Sequence, residues 1–162
     1  MEMRPKATVW IAVLILGCGG SDQTAEQHER REQVAATGAT IMPFDLDATT
    51  HVFEKTANGG LQQVVSDEAD PNQIALIRDH LQEEAGRFAS GDFHDPAMIH
   101  GEGMPGLHAL VVGHERLVIK YDEIVNGAQI TYSTEDAELV TGLHEWFDAQ
   151  VSDHGDHAQS HR

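Results

Sequence analysis

Residues 50–71, THVFEKTANGGLQQVVSDEADP, decide the fold. Thr50–Thr56 and Leu61–Ser66 are short runs rich in β-branched and aromatic residues, the composition of strands. Between them Asn58-Gly59-Gly60 offers the positive backbone angles that a tight hairpin turn uses. Asp70-Pro71 then opens a helix. Ile74, Ile77, Leu81, Ala85 and Phe88 recur at helical spacing behind it, and Gly91 lies just past its end.

Further along the chain the same order returns. Arg116–Tyr121 (RLVIKY) and Ala128–Ser133 (AQITYS) read as a second hairpin turned through Asn126-Gly127. Thr134 caps a last helix whose apolar face is Leu139, Val140, Leu143, Phe147 and Val151. The fold class expected is α+β: β-β-α repeated twice, a four-stranded antiparallel sheet with two helices on one face. Superposing the halves on their helices sets Arg78-Asp79-His80 on Gly142-Leu143-His144. His80 then has Glu84 one turn on, and His144 has Asp148, so each imidazole sits at a helix boundary with a carboxylate in reach. Such a pair suits either metal ligation or a structural role between helix and sheet.

A Gly-rich connection, residues 92–110 (DFHDPAMIHGEGMPGLHAL), joins the two units. His100 and Met104 stand four residues apart within it. A thioether with an imidazole favours copper, whereas imidazole and carboxylate favour zinc. The alternative is that Met98, Ile99, Met104 and Leu107 plug the core while His100 bonds to the backbone.

The two ends carry different signals. Arg4 and Lys6 precede eleven uncharged residues, Ala7 to Gly17, a run of signal-peptide length that is too short to span a bilayer. It ends in Ile15-Leu16-Gly17-Cys18, which resembles the lipobox of bacterial lipoproteins. Residues 1–17 are therefore expected to be a signal peptide, and 18–40 an acylated Cys18 with a flexible tether. The α+β domain is expected over 41–152, followed by a His-rich disordered tail, 153–162, holding His154, His157 and His161. Gly19 is not the aspartate associated with inner-membrane retention, so a periplasm-facing outer-membrane lipoprotein is expected.

Charge narrows the partners. With 27 acidic and 10 basic residues the chain carries a formal net charge of −17, which repels nucleic acid and attracts cations. Its 11 histidines supply neutral nitrogen ligands near pH 7. One cysteine permits no internal disulfide. The sequence has no Gly-x-Ser-x-Gly, no phosphate loop, no paired cysteine motif and no His-Glu-x-x-His helix, which argues against a hydrolase or nucleotide enzyme of those types.

Taken together, His51-Val52-Phe53-Glu54-Lys55, Gln73 to Leu81, Gly91-Asp92-Phe93, Ile99-His100-Gly101, Met104-Pro105-Gly106-Leu107, Leu143 to Phe147 and Asp153-His154-Gly155 resemble a family of small exported bacterial proteins. Its members often carry the label aspartate carbamoyltransferase. That enzyme is two packed α/β domains with a Ser-Thr-Arg-Thr phosphate loop, and this chain has neither the length nor the motif. The resemblance implies one compact domain and offers no catalytic residues to carry over.

The reading that joins these features is a lipid-anchored envelope protein that binds or handles a transition metal, copper first and zinc second. Its proposed ligands are His80, His144, His100 and Met104, with His51 as a candidate fifth. The alternative is a non-catalytic accessory lipoprotein that binds another envelope protein. Cys18→Ala should abolish acylation, leaving an uncut precursor or a released protein in fractionated cells. A mutant that still fractionates with membranes as a lipidated, mature-length species would contradict the lipobox reading.

Overall fold

The computed structural model describes residues 20–161. The expected signal peptide and Cys18 lie outside the described residues. The elements in order are α1 (Gly20–Ile41), β1 (Thr49–Thr56), β2 (Gly59–Ser66), α2 (Pro71–Ala89), α3 (His94–His100), α4 (Leu107–Gly113), β3 (Val118–Ile124), β4 (Gly127–Ser133), α5 (Ala137–His154) and β5 (Ala158–His161). Among the described residues no helix is long and apolar enough to cross a membrane.

The class is α+β, and both β-β-α units are present, but the sheet differs from the expected one. It has five strands in the order β3-β4-β2-β1-β5, and it is mixed, because β5 runs parallel to β1. The expected disordered tail supplies this strand, and α5 extends through Asp153 and His154 before it. The expected tether is, from Gly20 on, the 22-residue α1. It packs against α3 and α5, burying Val34. The Gly-rich connection folds as α3 and α4 in place of a loop.

Alternation places the core on one face of the sheet. His51, Phe53, Gln62, Val64, Ala128, Ile130 and Tyr132 are buried there, each facing a buried or half-buried partner across the ladder. α2 lies over β3 and β4, and α5 over β1, β2 and β5, so each helix covers mainly the other unit's hairpin. Trp146 is fully buried at the centre, edge-on to the stacked Phe88 and Phe93 and to Tyr132. Edge-to-face contacts of this kind add to the area each ring buries.

Two expectations about local chemistry are corrected. Asp136, not Thr134, caps α5, accepting from the Glu138 and Leu139 amides; Thr134 Oγ1 accepts from the Asp136 amide. The first hairpin turns at Ala57-Asn58, with Thr56 paired to Gly59, so the glycines are strand residues. Gly60 is there for closeness: a Cβ on it would stand 2.4 Å from the Phe147 ring.

Gly106 meets a stricter demand. Its φ of +75° is left-handed, and a Cβ there would lie 1.9 Å from the Gly142 carbonyl oxygen, where α4 starts against α5. Gly106→Ala should therefore destabilise the domain by about 2–4 kcal/mol, combining backbone strain with a forced shift of packed helices. Gly103→Ala, whose Cβ would meet nothing within 4 Å, serves as the control. Equal urea midpoints for the two variants would contradict this packing.

Candidate functional site

Trp146, Gln150 and His154 follow one another on α5 at a spacing of four, so they form one stripe along the helix. His80 and Glu84 do the same on α2. Between these stripes, roofed by His51 of β1 and closed by His100 of α3 and by Phe44, lies a cavity of about 40 Å³. His51, His80, His100 and His154 all line it. The rings are close: His51 and His154 stack with centroids 4.9 Å apart and planes within 6°, and His100 meets His154 edge-on at 5.0 Å. Phe44 packs edge-on against His80 at 5.7 Å and lies 6.1 Å from His51. An adjoining crevice of about 320 Å³ shares His51 and His154 with the cavity and opens past His28, Glu32, Asp47 and His157.

One imidazole is oriented from outside. His100 Nδ1–H donates to Asp153 Oδ2 at 2.8 Å, and the Arg30 guanidinium of α1 grips the same carboxylate with two bonds of 2.6 Å. Arg30 also reaches the His100 carbonyl at 3.2 Å. Burial pushes the Asp153 carboxyl up, but the bonds from His100 and Arg30 prevail and hold it below the usual carboxylate range. The Nδ1 contact with Asp153 fixes the orientation of the His100 ring and leaves its Nε2 edge turned away from that carboxylate.

The other imidazoles are kept neutral. Burial, then the nearby His100 and His80, lowers His51 from 6.5 to about 4. His154 is pushed well below its ordinary value by burial and by His51 and His100, and burial lowers His80 as well. Glu84 moves oppositely, from 4.5 to about 8. Its burial, with Asp95 nearby, outweighs the 3.0 Å contact from Arg87, whose guanidinium Asp95 shares.

Three of the sequence-expected ligands, His51, His80 and His100, come together here, and two do not. His144 bonds the Gly59 carbonyl at 2.9 Å, at the turn end of the first hairpin. Met104 is buried in the core and does not line the histidine cavity; it borders a second crevice together with His100, Arg30 and Asp153. The halves explain the first miss. Their helices are capped alike by Asp70 and Asp136. Counting from these caps, His144 matches Arg78, which likewise bonds carbonyls of the opposite hairpin, Ile124 and Gly127. His80 then matches Trp146, and Glu84 matches Gln150. With Asp136 in place of Thr134 as the cap, the same count finds Trp146 and Gln150 in the sequence. His154, expected in the tail, had no such signal.

Among the described residues, no three His, Cys, Asp or Glu side chains stand with their donor atoms already set for one ion. The parallel stack of His51 and His154 accounts for this, since lone pairs in parallel planes do not meet until one ring turns. Comparisons with protein-family models, with curated proteins and with solved structures find no match for the chain.

The buried titrations oppose one another. The stability His51 contributes as a neutral ring is full above about 6.5 and is lost as pH falls toward its folded value of about 4. Glu84, raised to about 8, contributes below 4.5 and loses its contribution as pH rises through 8. Between about 4.5 and 6.5 these two slopes cancel, so the acid-side fall rests on His154 and His80, which burial also lowers, and stability should peak near pH 6.5. Glu84→Gln should flatten the alkaline side, removing a loss of about 2 kcal/mol between pH 6.5 and 8. Parallel stability curves for wild type and variant over that interval, from denaturation at each pH, would refute the assignment.

Proposed function

We propose that the domain binds a late transition-metal ion in the histidine cavity, copper ahead of zinc(II), as the ion-handling part of a lipid-anchored envelope protein. The observation that carries this reading is the convergence of four imidazoles, from β1, α2, α3 and α5, on one small cavity. His51, His100 and His154 are the ligands, and His80 lines the same cavity beside them. Neutral rings are what a metal requires, because a protonated imidazole has no lone pair to give. Two imidazoles sharing an ion have ring centres roughly 5 Å apart, since each Zn–N bond is about 2.0–2.1 Å; the edge-on His100–His154 pair matches this, while the His51–His154 stack matches it in distance and needs one ring to turn. The Asp153–His100 bond supplies the carboxylate that orients a ligating histidine. Met104 lies outside the set, so the thioether argument for copper(I) falls away; an all-nitrogen set suits both copper(II) and zinc(II), and copper(II) binds such donors more tightly. The crevice past His28, Glu32, Asp47 and His157 gives an acidic path inward.

Metal would bind the folded state alone, adding about 2.7 kcal/mol when free ion is a hundredfold above its dissociation constant. Full-length protein should take up one equivalent of Zn(II) by native mass spectrometry and melt higher with it. His51→Ala and His154→Ala should each remove that shift, while His144→Ala and Met104→Leu keep it. In a Trp10→Phe background Trp146 is the sole indole, and Cu(II) should quench its fluorescence. A chain that binds no metal, or whose shift survives both His51→Ala and His154→Ala, overturns the proposal.

A further inference from the structure

Among the described residues, three buried side-chain polar atoms lack a hydrogen-bond partner in the protein: His51 Nδ1, Trp146 Nε1 and Gln150 Oε1. All three residues line the histidine cavity, and they are 6 %, 0 % and 5 % exposed. Buried polar atoms without partners are costly, so three on one small cavity mark a place for something other than protein.

Their chemistry says what. Once His51 is assigned to the ion, two groups remain. An indole N–H can only donate, and an amide oxygen can only accept. A ligand that satisfies both must accept one hydrogen bond and donate another. A hydroxyl does this; a halide or a bare carbonyl does not. Size adds a limit: about 40 Å³ holds two or three water-sized groups at roughly 10–15 Å³ each, enough for an ion and one small ligand. Position adds a third. Trp146, Gln150 and His154 stand one turn apart on α5, so donor, acceptor and metal ligand lie in line on one stripe.

We propose that the ion keeps one coordination position open for a small hydroxylic ligand, water in the resting protein, held between Trp146 Nε1–H and Gln150 Oε1. This rests on the metal reading above. The oxygen gives one lone pair to the ion and accepts from Trp146, and one of its protons goes to Gln150. A site with an exogenous oxygen is open, the kind that exchanges ligands, whereas a site closed by protein donors alone is structural.

The test uses full-length protein loaded with one equivalent of Cu(II), its electron paramagnetic resonance spectrum recorded in ordinary and in ¹⁷O-enriched water. The cavity signal is the part lost in His154→Ala, which separates it from copper on surface histidines. That signal should broaden in ¹⁷O water. Gln150→Leu should remove most of the broadening at unchanged copper stoichiometry. Copper bound in the cavity without ¹⁷O broadening, or broadening that Gln150→Leu leaves intact, overturns this inference and leaves metal binding standing. Failure to load copper in the cavity at all overturns both.

Discussion

Asp153 is a carboxylate withdrawn almost wholly from water, and much of the architecture follows from what keeps it ionised. Arg30 of α1 grips it from one side and His100 of α3 from the other, while its own backbone belongs to the last turn of α5. Three elements distant in sequence are thereby fixed at one end of the domain. The guanidinium is half in solvent, so the pair is weaker than a fully buried one. Its larger effect is geometric, because it seats α1 on the domain and sets the His100 ring against His154.

That seat breaks the symmetry of the two halves. The β-β-α units are arranged alike, each helix capped by aspartate and each reaching carbonyls of the other's hairpin. Matched positions nonetheless carry different chemistry. One helix brings His80 and Glu84 to the cavity, and the other brings Trp146 and Gln150. α1 and α3 then line the cavity through Gly38, Ile99 and His100, and β5 pairs with β1 beside His51.

The legible parts of the fold were those built on apolar period and turn residues. Both hairpins, α2 and most of α5 could be read because strands and helices bury stripes of Ile, Leu, Phe and Val at fixed spacing. α1 could not, since the core residue it buries is a lone valine, Val34, beside Gly38. α3 and α4 are too short, at seven residues each, for a period to emerge. The inner face of α5 was misread in part because Gly142, Gln150 and Asp153 are buried on it, and a search for apolar residues passes over them. The same blindness applied to the site. His51, His80 and His100 were visible as residue types, but which histidines meet depends on the helix register. The caps fix that register and the histidines do not. β5 rests on main-chain pairing with β1, and its polar sequence AQSH carries no strand signal.

The parallel strand at the edge of β1 also bears on the order of events in synthesis. Asp153 and His154 are made after every other residue that lines or orients the cavity, and β5 follows them. Until that segment arrives, β1 is an unpaired edge, His51 lacks its stacking partner, and His100 lacks its acceptor. The sheet core can form earlier from the two hairpins, whereas the cavity closes only through contacts of long sequence separation, which are slow to assemble. A nascent or truncated chain would therefore hold a folded core with no histidine cluster, so the cavity exists only in molecules finished through β5.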